Sequence, residues 1–239
     1  MTKTAVVLGV GPINGLGAQL CLRFAAGGHH VLVAGRTKAC LDDVVIEITA
    51  NGGSAEAVRA DATLEGDIVH LFKKAGPSLD LAIYNAGNNT PGTIRDMEAS
   101  YFEASWRVCC YGGFLFGRQA ARAFTPDKGG TLLFTGASAS LRGRANFGAF
   151  NSSKGALRNL AQAMAKEFAS DGVHVGHVIV DGPIAGDKII SRRPDIAAKL
   201  GPQGMIRISG IVDGYEYLYK QTPTAWSFEL DVRTSRENW

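Results

Sequence analysis

Short apolar runs that read as strands alternate with segments whose apolar residues recur at helical spacing, from one end of the chain to the other. Ala5-Val6-Val7-Leu8 is a continuous apolar run, as in a strand buried on both faces. Over residues 15–26, Leu16, Leu20 and Phe24 fall at helical spacing before Gly27-Gly28 ends the element. The rhythm continues with strands at 31–34, 55–60, 79–84, 131–134, 173–180 and 228–232. Between them the spacing predicts helices at 41–50, 66–75, 101–124, 150–169 and 211–221. Residues 182–204, rich in Gly, Pro and charge, predict an excursion outside the core, a substrate-side loop around 182–206. Parallel strands need crossover connections, so this alternation predicts a parallel sheet with helices on both faces. The chain reads as a single doubly wound α/β domain over 1–239, with no repeat or linker.

Composition narrows the class. Apolar residues make up 46% and charged residues 20%, enough for a sizeable core and too apolar for disorder. No apolar run approaches the roughly 20 residues of a membrane span, and the N-terminus lacks a signal-peptide pattern. The formal net charge is only +3, which gives no support for nucleic acid or an anionic membrane as partner. Four cysteines (Cys21, Cys40, Cys109, Cys110) without C-x-x-C spacing predict neither a disulfide framework nor a metal site. A soluble, reduced, cytoplasmic protein is expected.

The segment after the first strand reads Gly9-Val10-Gly11-Pro12-Ile13-Asn14-Gly15-Leu16-Gly17, where a strand hands over to a helix. Glycines there let the backbone approach a pyrophosphate, and the helix N-terminus offers unpaired N–H groups and a positive dipole end. Gly11, Asn14, Gly15, Leu16 and Gly17 are therefore candidates to line a dinucleotide.

The Gly11-x-x-x-Gly15-x-Gly17 spacing resembles the short-chain dehydrogenase/reductase family, whose fold is of Rossmann type. Further motifs follow in the family's order: Asp61 with Ala62 after the third strand, Asn85-Ala86-Gly87 after the fourth, Ser138 after the fifth, Lys154 in the next long helix, and Asp181-Gly182-Pro183-Ile184 after the sixth. The resemblance implies that Asp61 meets the adenine edge, that Lys154 binds the nicotinamide ribose, and that Gly182, Pro183 and Ile184 lie beside the nicotinamide. It also implies a homodimer or homotetramer, in which the long 101–124 and 150–169 helices pair across a two-fold axis. Family members that use NAD carry an acid after the second strand; here the strand ends Ala34-Gly35-Arg36-Thr37. A guanidinium suits a 2′-phosphate, so NADP(H) is expected over NAD(H), with a surface arginine as the plainer alternative.

The catalytic positions are altered. The family works with an Asn-Ser-Tyr-Lys set in which the tyrosine, four residues before the lysine, is the general acid. Four residues before Lys154 stands Phe150, and Val108-Cys109-Cys110-Tyr111-Gly112-Gly113-Phe114 places Cys109 in the asparagine slot. Ser138, twelve residues before Phe150, is the candidate serine, with Ser140 as the alternative. A positioned general acid is worth roughly 10²–10⁴-fold in rate, and phenylalanine cannot donate a proton.

Three functional readings stay open. One is an NADP(H) oxidoreductase that reduces a small carbonyl, imine or iminium, or activated alkene, its proton coming from Ser138, Cys109, Lys154 through water, or the substrate. Another is a non-redox enzyme (cyclase, isomerase or dehydratase) that keeps the nucleotide, and the third is a silent nucleotide-binding protein. Other residues have plain readings. Cys109 and Cys110 read as packing residues, with a nucleophile role as the alternative, and His174 and His177 lack a carboxylate near them in sequence and read as core or edge histidines. Tyr215, Tyr217, Tyr219, Trp226 and Phe228 read as core or subunit interface, and Arg142 and Arg144 as loop arginines that could attract an anion.

Overall fold

The computed structural model describes residues 2–125, 128–191 and 193–237. Met1, Pro126, Asp127, Arg192, Asn238 and Trp239, which fall within the expected domain and, for Arg192, within the expected 182–206 loop, lie outside the described residues. The elements run β1 (Thr4–Leu8), α1 (Leu16–Ala26), β2 (His30–Gly35), α2 (Lys38–Ala50), β3 (Ser54–Arg59), α3 (Glu65–Ala75), β4 (Leu79–Tyr84), α4 (Ala99–Trp106), α5 (Gly112–Ala123), β5 (Gly130–Thr135), α6 (Gly148–Phe168), β6 (Val173–Asp181), α7 (Asp187–Ile190), α8 (Pro194–Leu200), α9 (Ile208–Tyr219) and β7 (Glu229–Arg233). All strand pairs are parallel, in the order β3-β2-β1-β4-β5-β6-β7.

The central strands are buried on both sides, which is why they read as continuous apolar runs. Ala5 and Val7 of β1 pack with Leu20, Phe24, Val44 and Ile211 in one core. Val6 and Leu8 point the other way and pack with Ile68, Phe116 and Leu157 in the second. Each fully buried Leu or Phe contributes about 1.5–3 kcal/mol of transfer free energy.

Strand order reverses between β1 and β4, and such a reversal opens a crevice at the carboxyl ends of the strands. The backbones are closest there at Gly9, whose φ of +102° suits glycine and whose absent Cβ would stand 2.5 Å from the Ala86 nitrogen. That contact seats the end of β1 against the end of β4.

Two expectations need correction. The 101–124 segment is not one uniform helix: α4 and α5 are joined by a π-helical turn at Arg107–Tyr111. The wider turn frees backbone carbonyls, and the Tyr84 hydroxyl at the end of β4 donates to that of Val108. The excursion after β6 holds two short helices, α7 and α8. Its base is closed by a bridge between Ile184 and Ile206, with Ala185 N donating to Ile206 O at 2.9 Å and Ile206 N to Pro183 O at 2.8 Å. Among the described residues no helix is long and apolar enough to cross a membrane.

Candidate active site

The glycine-rich turn folds where the strand-to-helix handover requires it. Gly15 precedes α1 in an extended conformation, and no side chain caps the helix, so its first N–H groups face outward. A Cβ on Gly17 would stand 2.7 Å from the Gly9 carbonyl oxygen, which ties the first turn of α1 to the end of β1. Gly11 is different: nothing lies within 4 Å of the place its Cβ would take. Open space over Gly11, an N-terminus of α1 with no side-chain cap and a tight Gly9–Gly17 contact are the features such a turn needs to take an anion. Asn14 is exposed on its rim.

Asn85 lies behind this turn. Its amide donates to Gly9 O at 3.1 Å and accepts from Thr135 Oγ1 at 2.9 Å, and Thr135 Oγ1 is 2.5 Å from the Tyr215 hydroxyl. Both ends of the side chain are thus engaged in joining β1, β4, β5 and α9. Ala86 is half-buried beside Gly9, and Gly87 opens outward.

Arg36, just past β2, is exposed. Asp61 accepts the backbone N–H and the hydroxyl of Thr63, both at 2.8 Å. Burial pushes its carboxyl up, but those two donors and the Arg36 charge outweigh burial and hold it below the usual carboxylate value. Ala62 is buried beneath α5, its carbonyl against Gly112.

Lys154 on α6 is buried, and its ammonium donates to Thr135 O at 2.7 Å. Burial lowers its pKa. A Cβ on Gly87 would lie 3.5 Å from Lys154 Nζ and 3.6 Å from Cys109 Sγ, so the two side chains meet beside the end of β4. Cys109 Sγ is 3.8 Å from Asn88 Oδ1, which also accepts from Ser105 Oγ at 2.8 Å. The Phe150 ring centre is 6.0 Å from Lys154 Nζ, one helical turn away. Ser138 is half-buried, and its hydroxyl has no hydrogen-bond partner among the described residues. Ser140 is buried, and its hydroxyl accepts Ala137 N at 3.2 Å. Gly182, with φ of +150°, Pro183 and Ile184 are half-buried at the base of the α7–α8 excursion. Of these positions, Leu16, Gly17, Ala62, Cys109 and Lys154 are buried, and Asn14, Arg36 and Gly87 are exposed.

Several partners were not legible in the sequence. Asp181 is buried in a bidentate pair with Arg142, Nη2 to Oδ1 at 3.0 Å, and Arg233 Nη1 is 3.4 Å from its other oxygen. Arg142 is thereby a structural partner of Asp181 rather than an unpaired loop arginine. His177 is a core histidine, and the carboxylate it meets is distant in sequence: its Nδ1 is 3.0 Å from Glu229 Oε2 on the neighbouring strand. Glu229 is held in turn by Arg158, at 2.6 and 2.8 Å. Residues 52 and 71 positions apart meet only because β6, β7 and α6 stack, so no local pattern could announce them. His174 stacks on Trp226 with ring centres 5.0 Å apart, and Tyr215 is core, as the plain readings held. Among the described residues no group of three or more His, Cys, Asp or Glu is placed to hold a metal.

Comparison with known proteins identifies the family and the fold. A sequence profile of the short chain dehydrogenases matches residues 3–191. The uncharacterized oxidoreductase YuxG of Bacillus subtilis is 31% identical over 204 residues, covering 82% of this chain but only 30% of YuxG. The tetrahydroxynaphthalene reductase of Pyricularia oryzae is 29% identical over 77% of this chain and 65% of its own. This chain thus spans less than two thirds of the length of those curated relatives. A short-chain dehydrogenase structure from Rhodopseudomonas palustris superposes with a TM-score of 0.82 at 33% identity, over 97% of this chain and 98% of that one.

Proposed function

This chain belongs to the short-chain dehydrogenase family, and we infer that it is an NADP(H)-dependent oxidoreductase with an altered catalytic set, acting on a small organic substrate. The observation that carries the reading is the pairing of a glycine-rich strand-to-helix turn, open over Gly11, with a buried Lys154 beside a phenyl ring instead of a phenol. Bound NADPH supplies the hydride. A bound cofactor's pyrophosphate would sit over Gly11 at the N-terminus of α1, its adenine would meet Asp61, and the exposed Arg36 would offer a bidentate partner for a 2′-phosphate. Lys154 would orient the ribose, and Gly182, Pro183 and Ile184 would border the nicotinamide.

The substrate's reacting group is a carbonyl, an imine or iminium, or an activated alkene. An iminium fits this site particularly well, because a cation that accepts hydride becomes a neutral amine and needs no acid. Ser138, with its unengaged hydroxyl, is the side chain for orienting the reacting group. The same Phe150 and Cys109 also suit a non-redox enzyme or a silent NADP-binding protein. NADPH consumption over a panel of ketones, cyclic iminium ions and enones decides between them. Turnover supports the oxidoreductase, and tight NADPH binding with no turnover anywhere in the panel overturns it.

We read residues 1–239 as one such domain that forms a homodimer or homotetramer in the cytoplasm. Phe102 and Trp106 are exposed on α4, and Phe114 of α5 lines a groove with Arg118, Arg122, Leu160, Met164 and Phe168, the surface we expect two copies to bury together. The four cysteines are all free thiols, as in a reducing compartment.

A further inference from the structure

Asp181 ends β6 with a carboxylate that is only 1% exposed, just before Gly182 turns the chain into the α7–α8 excursion. A charge buried this deeply has to be met by charged donors. Its donors come from two other elements. Arg142, on the turn after β5, forks onto both oxygens, with Nη1 3.2 Å from Oδ2 and Nη2 3.0 Å from Oδ1. Arg233, opposite Asp181 in the β6–β7 register, brings Nη1 to 3.4 Å from Oδ2. Glu237, beyond β7, reaches the same fork, its Oε1 3.6 Å from Arg142 Nη2.

Arg142 is also tied to the crevice through its main chain. Its N–H donates to Ser138 O at 3.1 Å. Its carbonyl accepts from Asn151 Nδ2 at 2.7 Å, and Asn151 Oδ1 accepts Arg144 N at 3.2 Å. Asn151 is the neighbour of Phe150 on α6. One residue thus joins Asp181, Ser138 and the first turn of α6. Burial does little for this segment, because residues 141–146 are all exposed. The Asp181 fork is therefore what anchors the turn on its β6 side.

We propose that Asp181 is a positioning residue of the site: through Arg142 it fixes the turn carrying Ser138 against the end of β6. It thereby sets where the Ser138 hydroxyl meets the substrate's reacting group. Asp181 touches no substrate atom, since its oxygens face inward onto the guanidinium groups. A misplacement of about 1 Å at a reacting group can cost about 10²-fold in rate, so a tether of this kind bears directly on turnover. The role rests on the oxidoreductase reading and deepens it.

The test has two arms on the full-length protein. The first needs no substrate: amide hydrogen exchange, read by mass spectrometry, in the unaltered protein and in Asp181→Asn. Residues 138–144 should exchange about tenfold faster or more in the variant, with α1 and the NADPH Kd unchanged. Unchanged exchange at 138–144, or a rise no larger than in the rest of the chain, overturns the tether. The double variant Asp181→Asn/Arg142→Gln removes both charges of the fork and leaves no unpaired guanidinium at Arg142, so the arm survives if the single variant folds poorly. The second arm measures NADPH turnover over the same panel. Asp181→Asn should lower kcat about tenfold or more in the unaltered background, yet by less than about twofold in Ser138→Ala, where there is no hydroxyl left to misplace. Asp80→Asn is the control: it breaks the pairs with Lys3 and His29 at the opposite ends of the strands, and should lower stability while leaving kcat alone. Equal losses from Asp181→Asn in both backgrounds, or a loss matched by Asp80→Asn, overturn positioning through Ser138. Absent turnover in the unaltered protein overturns the oxidoreductase reading and the catalytic part of the role with it, while hydrogen exchange still decides whether Asp181 holds the turn.

Discussion

Replacing Phe150 by tyrosine would put a hydroxyl where this crevice has only carbon. The Phe150 ring centre is 6.0 Å from the Lys154 ammonium, and the ring is half-buried. Taking about 6 Å as the charge separation and an effective dielectric of about 20, the ammonium favours the phenolate by about 3 kcal/mol. That corresponds to lowering a phenol pKa of about 10 by about two units, toward 8, before burial pushes back. A donor in that range at this place is a competent general acid. The full effect of such a group is roughly 10²–10⁴-fold, and Cys109 in the asparagine slot should hold the gain lower. We expect Phe150→Tyr to increase reduction of activated ketones tenfold or more, with a new alkaline limb in the pH–rate profile near about pH 8. The assay is NADPH consumption by wild type and variant across a ketone panel, with NADPH affinity measured separately. If the unaltered protein reduces ketones at ordinary rates and tyrosine adds nothing, another group already supplies the proton and Phe150 is not a loss.

Further outcomes follow from other parts of the fold. NADPH should bind at least tenfold tighter than NADH, about 1.4 kcal/mol, and Arg36→Asp should erase or reverse the preference; equal affinities in fluorescence titration refute it. Gly11→Ala should leave the melting temperature unchanged because its Cβ meets open space, yet weaken NADPH binding. Gly17→Ala, with its Cβ 2.7 Å from a carbonyl oxygen, should lower both, and identical behaviour of the two variants would sink the cradle. Burial, with help from Lys154 and Arg158, pushes the His177 pKa down from 6.5 to about 4. The unfolded chain then binds a proton that the folded one refuses, so stability is full above about pH 6.5 and falls by about 3 kcal/mol toward pH 4. Denaturant unfolding across that window should show the slope in the unaltered protein and a flatter one in His177→Gln. Light scattering should give two or four times the mass of one chain at micromolar concentration, and a single-chain mass would refute the homo-oligomer.

The alternation of apolar periods determined a parallel sheet covered on both sides, because a strand buried on two faces and a helix buried on one leave different spacings in the sequence. Gly9 to Gly17 marked the cradle for the same local reason: a tight strand-to-helix turn selects its own residues. Phe150 was legible by counting four residues back from Lys154 on the same helix, and Cys109 by its place in the Val108–Phe114 motif. What the sequence left out are contacts between distant segments. The π turn at Arg107–Tyr111 depends on a hydroxyl from β4, the Asp181–Arg142 pair spans 39 positions, and the helices of the 182–206 excursion are held by a bridge at its base. His177 shows the difference most plainly. Its alternation with apolar neighbours marks a strand residue and nothing more, and only the stacking of β5, β6, β7 and α6 gives it a carboxylate on one nitrogen and an open lone pair on the other. Local patterns record the burial each residue experiences; the partner it meets there is set by how the chain closes on itself.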